Sequence, residues 1–174
     1  MPAPKNIFLC GFMGCGKSTH GKKLASLLKY AFVDLDKYIQ KRENKTVQFI
    51  FENEGEEEFR RLETFYLKEV IDPKKEQVIA LGGGTVCFNN NIELIKKSGI
   101  LVYIDMPATS LRDRLQRSRQ KRPLLENIAA ADLTAFIEGK LKERNPFYMQ
   151  SHITVNGINL NHLQLQQLLL ETGK

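Results

Sequence analysis

The chain has 174 residues, 42% of them hydrophobic, and a formal net charge of +6, which predicts one globular domain with its own core. No apolar stretch approaches the roughly 20 residues of a membrane span, and the N-terminus lacks the apolar run of a secretory signal. Three cysteines, an odd number without metal-ligand spacing, favour a reduced, cytoplasmic setting over a disulfide framework or a zinc site.

The positive charge would suit nucleic-acid binding, but the basic residues are spread along the chain. The densest group lies between residues 112 and 122 and comprises Arg112, Arg114, Arg117, Arg119, Lys121 and Arg122. Such a run usually forms a solvated helix face, and a segment that covers bound phosphates is the sharper alternative. We expect neither nucleic acid nor a membrane as a partner.

A glycine-rich segment near the N-terminus, Gly11–Thr19, fits the pattern G-x-x-x-x-G-K-[ST] of phosphate-binding loops. The apolar run Ile7–Cys10 before it predicts a buried strand, and the spacing of apolar residues after it predicts a helix over Lys17–Tyr30. A loop between a strand and a helix presents backbone N–H groups to phosphate oxygens. We therefore expect a nucleotide site rather than a glycine turn that binds nothing, with Lys17 on the β- and γ-phosphates and the Ser18 hydroxyl on Mg²⁺.

The second predicted strand, Phe32–Leu35, carries two carboxylates two residues apart, Asp34 and Asp36. Alternate residues at a strand end point to the same side, so both would face the phosphate loop. One could orient Mg²⁺ through its waters, and the other could accept a hydrogen bond from an attacking hydroxyl. The pattern is weak alone, because Asp36 could equally be the N-cap of a following helix.

A helix is predicted over Glu56–Ile71, and the acidic run Glu54–Glu58 at its start suits the helix dipole. Arg60 and Glu63 are three residues apart and lie on the same side of this helix. They form either a routine surface ion pair or a guanidinium that Glu63 aims at a substrate carboxylate, whose geometry matches the arginine fork.

Three consecutive glycines, Gly82, Gly83 and Gly84, follow the predicted strand Val78–Leu81. One glycine would indicate a turn. Three remove every side chain from the strand end and let a ligand touch the backbone, although a flexible loop is the alternative.

Two arginines lie close to prolines. Arg122 directly precedes Pro123, which fixes a turn. Arg144 ends a predicted helix, Asp132–Arg144, which should stop near the residue before Pro146 because proline disfavours helical geometry there. A cation is favourable at a helix C-terminus, so Arg144 also has a purely structural explanation.

The remaining predicted strands are Ile100–Ile104 and Ile153–Val155, and the remaining predicted helices are Asn90–Lys97, Ala108–Arg117 and Asn161–Leu170. Strands that alternate with helices indicate an α/β fold with a parallel sheet of about five strands and helices on both faces. Ligands of such sheets bind beyond the carboxyl ends of the strands, where the phosphate loop, the aspartate pair and the glycine triplet would meet. No long apolar stripe remains once the core is assigned, so we expect a monomer.

The order of these motifs, from GxxGxGKST through D-x-D, F-R-x-x-E, G-G-G and R-P-L-L to R-x-x-x-Y, resembles the shikimate kinase family from about Ile7 to Tyr148. The loop is common to many NTPases, whereas the combination of the other five is highly specific. The resemblance implies a P-loop NTPase-like fold, similar to nucleoside-monophosphate kinases, in one domain over residues 1–174. It also implies a lid at about residues 110–125 and substrate-binding helices at about residues 36–62.

The same resemblance implies the reaction and its nucleotide site. The enzyme would transfer the γ-phosphoryl group of ATP to the 3-hydroxyl of shikimate, in aromatic amino-acid biosynthesis. Asp34 would act in the water shell of Mg²⁺, Arg122 would reach the γ-phosphate from the lid, and Arg114 would lie near the adenine. The ATP phosphates would bind to Gly14, Cys15, Gly16, Lys17, Ser18 and Thr19.

On the acceptor side, the resemblance implies that Asp36 binds the shikimate hydroxyls and takes or steers the proton. Arg60 and Arg144 would hold the shikimate carboxylate, and Glu63 would orient Arg60. Gly82, Gly83 and Gly84 would line the pocket. The catalytic group would therefore be Asp36, Lys17 and Arg122.

The sequence departs from the family pattern at two places. The segment Val155–Asn159 lacks the basic residue that members often have near the adenine. Cys15 stands where a residue such as serine is common, and a thiol at a helix N-terminus beside Lys17 should ionise more easily. We therefore expect Cys15 to be a reactive thiol that the nucleotide shields.

Two other functions would use the same loop. A gluconate or nucleoside-monophosphate kinase would share the loop and the lid, but the glycine triplet with F-R-x-x-E argues against it. A non-enzymatic nucleotide-binding module would not need D-x-D beside three glycines and paired arginines.

Overall fold

A computed structural model describes residues 5–118 and 122–172 of the chain. Its described strands are β1 (Asn6–Cys10), β2 (Ala31–Asp34), β3 (Gln77–Ala80), β4 (Ile100–Asp105) and β5 (Ile153–Asn156). They pair in parallel, in the order β2-β3-β1-β4-β5. The five-stranded parallel sheet expected from the sequence is confirmed.

Helices and short turns connect the strands. The described helices are α1 (Lys17–Leu28), α2 (Leu35–Glu43), α3 (Val47–Asn53), α4 (Gly55–Val70), α5 (Asn91–Ser98), α6 (Ala108–Arg117), α7 (Leu133–Tyr148) and α8 (His162–Thr172), with 3-10 turns at Thr85–Cys87 and Pro123–Leu125. Among these described elements, none has the combination of length and apolar character that a bilayer crossing requires.

The core lies on both faces of the sheet because side chains alternate along each strand. In the central strand β1, Ile7 and Leu9 face one side and join a cluster with residues of α1, α6, α7 and α8. Phe8 and Cys10 face the other side and join a cluster with residues of α2, α3, α4 and α5. All four are buried, so the strand that leads into the phosphate loop is anchored from both faces.

The region between β2 and β3 contains three helices, of which the apolar spacing predicted only the last, α4. The Asp34 carboxylate caps α2 by accepting from the Lys37 N–H at 3.2 Å, and the Thr46 hydroxyl caps α3 by accepting from the Phe49 N–H at 3.0 Å. Caps of this kind stabilise helices too short to form alone. The N-cap considered at Asp36 is therefore at Asp34. The range of about 36–62 expected for the substrate-binding helices falls on α2, α3 and the first half of α4.

The end expected for α7 near Asn145 is wrong, because the helix continues through Pro146 to Tyr148. Tyr148 is fully buried, and its ring stacks on Tyr103 with a centroid distance of 4.9 Å. Packing of the last turn against the sheet offsets the hydrogen bond that proline cannot donate. Arg144 consequently lies one turn before the helix end rather than at it.

Two glycines within helices allow a matched test of how α1 packs on β2. A Cβ atom on Gly21 in α1 would lie 2.5 Å from a ring carbon of Phe32, whereas one on Gly139 in α7 would have no such neighbour within 4 Å. We predict that Gly21→Ala lowers the free energy of unfolding by about 1–3 kcal/mol through overpacking. Gly139→Ala should raise it by up to about 1 kcal/mol through helix propensity. Urea unfolding measures both, and equal effects would contradict the packing of α1 on β2.

Candidate active site

The phosphate loop closes tightly around the start of α1. Gly11, Gly14 and Gly16 have positive φ angles of 141°, 86° and 96°, a region that side chains with a Cβ avoid. The Lys17 ammonium donates to the backbone carbonyls of Gly11 at 2.8 Å and Phe12 at 3.1 Å. The loop therefore presents a fixed cation and the N-terminus of a helix to one cleft, an arrangement suited to phosphate.

Oxygen ligands suitable for a hard cation lie beside this loop. The Ser18 hydroxyl donates to the Asp34 carboxylate at 2.6 Å, which joins the start of α1 to the end of β2. A hydroxyl and a carboxylate are ligands of the kind that Mg²⁺ takes while it keeps several waters. The donor set at Ser18 and Asp34 thus fits the expected metal, although no cluster of three or more His, Cys, Asp or Glu side chains occurs in the described ranges.

Asp36 lies in the first turn of α2 and lines both the cleft at the phosphate loop and the pocket next to it. The residue is partly exposed, but its Oδ1 atom is buried and accepts no hydrogen bond within residues 5–118 and 122–172. Burial, followed by the charges of Glu63 and Asp34, raises the pKa of Asp36 to about 6, while Lys17 and Arg122 act in the opposite direction.

Each of the three glycines after β3 leaves space that a charged side chain uses. A Cβ atom on Gly82 would lie 2.5 Å from Oε1 of Glu63 and 3.1 Å from Oδ1 of Asp36. One on Gly84 would lie 2.9 Å from Nη2 of Arg60, and one on Gly83 would lie 3.3 Å from Nη1 of Arg144. None of the three has a positive φ, so close approach rather than backbone conformation is the reason for glycine here.

Arg60 is held by partners on several sides. Its Nη1 donates to the fully buried Glu63 carboxylate at 2.9 Å, and its Nε and Nη2 donate to Glu56 at 3.3 and 3.1 Å. The Phe88 ring lies 4.2 Å from its Cζ atom, within the range of a cation–π contact. Because Arg60 is only 6% exposed, this is a positioned guanidinium and not a routine surface ion pair.

The second arginine of the expected pair reaches the same pocket from α7. The buried Arg144 donates to the Gly83 carbonyl at 3.2 Å, and the Tyr148 hydroxyl donates to the same oxygen. Arg60 and Arg144 both line the pocket that contains Asp36 and the glycine triplet. The structure therefore brings together all the residues assigned to the acceptor side.

Arg122 lies where the two clefts adjoin. It lines both the pocket and the cleft of about 600 Å³ at the phosphate loop, and Asp36 and Asp34 partly counter the fall in its pKa that burial causes. On the far side of the loop, Arg114 approaches the carbonyls of Gly14 and Cys15 at 3.4 and 3.5 Å. The expected lid of about 110–125 includes residues 119–121, which lie outside the described residues.

The expectation of a reactive thiol at Cys15 is not borne out. The side chain is fully buried in the core cluster of β1, α1, α6, α7 and α8, so a reagent cannot reach it from the nucleotide side. Inside the fold, its Sγ atom lies 3.9 Å from the Lys17 ammonium. A loop motif does not reveal this burial, because it depends on how the helices pack on the sheet.

Several contacts of the site were not predicted. Glu56 is spaced one helical turn before Arg60, and this spacing could have been recognised. Tyr148 was part of the R-x-x-x-Y motif but had no assigned role. The Thr85 hydroxyl donates to Glu63 across 22 positions of sequence, and Phe88 is also distant from Arg60, so no local pattern indicates either contact.

The geometry defines a class of protein: a P-loop kinase whose second pocket, with two arginines and a carboxylate, suits a small anionic acceptor. A family model described as shikimate kinase matches residues 13–172. A shikimate kinase from Parabacteroides distasonis is 43% identical over 150 residues, 86% of each chain.

Solved structures agree with this match. A crystal structure of shikimate kinase from Bacteroides thetaiotaomicron has a TM-score of 0.89 and 39% identity over 97% of this chain and 99% of that one. A shikimate kinase from Acinetobacter baumannii in complex with shikimate has a TM-score of 0.86 and 35% identity over 96% and 93% of the two chains. The chain belongs to the shikimate kinase family.

The raised pKa of Asp36 makes a prediction about stability. A carboxyl group whose pKa rises from 3.8 to about 6 on folding contributes its full stability below the unfolded value and loses it as the pH rises through 6. Asp36→Asn should therefore be more stable than the parent above pH 7, on the order of 2 kcal/mol, after a discount for the exposed part of the side chain. The gain should vanish near pH 4.

Urea unfolding at several pH values measures this gain. The matched control is Glu138→Gln, which makes the same change from carboxylate to amide at an exposed position within α7 and should show no such dependence. A gain for Asp36→Asn that stays constant from pH 4 to pH 8 would contradict the burial of an ionisable group.

Proposed function

We propose that the two adjoining clefts hold ATP and shikimate side by side, with Asp36 and Arg122 on their common wall. The family assigns shikimate kinase activity, which uses ATP as phosphoryl donor. The assignment of residues is supported above all by the position of Asp36. Its carboxylate borders both clefts, where the substrates would meet. One of its oxygens is buried and unpaired within the described residues.

On the nucleotide side, the backbone N–H groups of residues 14–19 would bind the phosphates, and Lys17 would turn from the loop carbonyls toward the β- and γ-phosphates. Ser18 and Asp34 would hold Mg²⁺, Asp34 through water. When bound, the metal would neutralise phosphate charge. Arg114 is proposed to contact the base side of the nucleotide, since it lies at the loop on the side opposite Asp36.

On the acceptor side, Arg60 and Arg144 would bind the shikimate carboxylate, each through charge-assisted hydrogen bonds. Glu63 would orient Arg60, and the glycine triplet would line the pocket. A pocket with two buried arginines should discriminate strongly against analogues without a carboxylate, because these would leave the arginine charges without their anion.

The chemical step joins the 3-hydroxyl oxygen of shikimate to the γ-phosphorus and breaks the bond from that phosphorus to the oxygen that bridges to the β-phosphate. ADP leaves with the electron pair of the broken bond, and Asp36 accepts the hydroxyl proton. A pKa of about 6 leaves Asp36 ionised at neutral pH and brings it closer to the working pH, which suits proton acceptance. Lys17 and Arg122 would stabilise charge on the transferred group.

The segment from Arg122 onward would act as the lid that excludes water from this step. Pro123 and Leu124 line the acceptor pocket, and the Gln48 amide of α3 donates to the Glu126 carboxylate at 3.0 Å. These contacts support a lid that covers the acceptor against α3.

We further propose that the protein works as one kinase domain and as a monomer in the cytoplasm. Cys10, Cys15 and Cys87 are free thiols, which suits a reducing compartment. Within the densest basic group, Arg122 lines the cleft proposed for ATP and Arg114 approaches carbonyls of the phosphate loop, where their charge suits phosphate better than nucleic acid.

The function is tested by ADP release from ATP with shikimate, gluconate or a nucleoside monophosphate as acceptor. We predict that, of these three acceptors, shikimate supports ADP release and the others do not, and that the release requires added Mg²⁺. Asp36→Asn should lower this turnover by about 10²–10⁴-fold, the usual contribution of a positioned base, while MgADP binding stays near normal. Release with another acceptor, or normal turnover in the variant, would contradict the assignment.

The arginine pair is tested by Arg144→Ala. Loss of hydrogen bonds to a charged group should raise the KM for shikimate by roughly 10–150-fold, with a smaller effect on the KM for ATP. Lys140→Ala, a cation of the same helix that pairs with Glu143 outside the pocket, is the matched control and should leave both KM values unchanged. Equal changes in both KM values would argue for a general disturbance of α7.

A further inference from the structure

Thr85 follows the glycine triplet and is held rigidly inside the protein. It is fully buried, its N–H donates to the Gly82 carbonyl at 3.3 Å, and its own carbonyl accepts from the Asn91 amide at 3.0 Å. Its hydroxyl donates to Oε1 of Glu63. The position and direction of this hydroxyl are therefore fixed by contacts on both sides of it.

Glu63 depends on this hydroxyl because bulk solvent does not reach it. The residue is fully buried, and within the described residues Oε1 accepts from Thr85 and Oε2 from Arg60. Burying a carboxylate is costly unless hydrogen bonds and opposite charges replace its hydration. Thr85 supplies one of these hydrogen bonds.

The charge of Glu63 acts in two directions. Along α4 it fixes Nη1 of Arg60. Across the bare backbone of Gly82 it faces Asp36, since a Cβ atom there would touch both carboxylates and the Thr85 hydroxyl.

Other groups complete the electrostatic surroundings. Cys87 lies within electrostatic reach of Glu63, Arg60 and Arg144. Asp34, Lys17 and Arg122 act on Asp36 from the phosphate side. Thr85 differs from these groups because it is neutral, it donates to Glu63, and it has no proposed contact with either substrate.

We propose that Thr85 is a positioning residue whose hydroxyl fixes the Glu63 carboxylate, so that Glu63 holds Arg60 in place for the substrate carboxylate. The proposal rests on the role given above to Arg60. It identifies a residue outside the substrate pocket that controls acceptor binding.

The test is Thr85→Val, which keeps the shape and removes the hydroxyl. Without this donor, Oε1 of Glu63 loses its hydrogen bond, so the carboxylate no longer holds Arg60 in one position. The KM for shikimate should rise by roughly tenfold, as expected for one hydrogen bond to a charged group. The KM for ATP and kcat should stay near the parent values.

The separation of the KM for shikimate from kcat and from the KM for ATP provides the readout that distinguishes positioning from a structural role, because a general disturbance of the fold would change all three. Thr85→Ser, which restores the hydroxyl, should recover the parent KM for shikimate. Thr64→Val is the matched control, because the Thr64 hydroxyl donates to the main-chain carbonyl of Arg60 and not to Glu63.

Thr85→Ala is measured beside the valine variant because its smaller side chain cannot clash. It tests the proposal if Thr85→Val fails to fold. A parent-like KM for shikimate in a folded variant overturns the proposal, as does an equal rise in the KM for ATP or a loss that Thr85→Ser does not rescue. If the parent enzyme itself releases no ADP with shikimate, the proposed function fails instead, and the two failures are thus distinguishable.

Discussion

Charged side chains can converge beyond the end of β3 only because Gly82, Gly83 and Gly84 leave the space that their own side chains would fill. Glu63, Asp36, Arg60 and Arg144 all approach within contact distance of positions where a Cβ would stand. They come from three different helices, so the strand end is the one place at which they can meet. Any side chain there would displace a charge that the proposed reaction needs.

This convergence brings two carboxylates, Glu63 and Asp36, close together inside the protein, and they differ in their hydrogen-bond partners. Glu63 receives a guanidinium and a hydroxyl. Asp36 receives no donor to its buried oxygen from the described residues, and burial, followed by the charges of Glu63 and Asp34, raises its pKa to about 6. An incompletely paired carboxylate costs stability, and such sites are where catalytic groups are commonly found.

The sheet order explains why two substrates can lie side by side. β1 is central and delivers the phosphate loop, β2 and β3 lie on one side and deliver Asp34, Asp36 and the glycines, and β4 leads into α6 with Arg114 on the other side. A nucleotide on the loop would therefore have its acceptor toward β3 and its base toward β4. The parallel arrangement places all of these strand ends at one edge.

Local patterns of sequence determined the strands, most of the helices and the phosphate loop. They also indicated the pairs Asp34 with Asp36 and Arg60 with Glu63. These depend on side-chain periodicity, glycine conformation and short spacings, which are properties of neighbouring residues. Tertiary structure decided the rest. It extended α7 past Pro146 through the packing of Tyr148, buried the Cys15 thiol, raised the pKa of Asp36, and linked Thr85 and Phe88 to α4. Each of these outcomes depends on burial or on contacts between distant segments, and solvent exclusion and electrostatic proximity exist only once the helices have packed on the sheet.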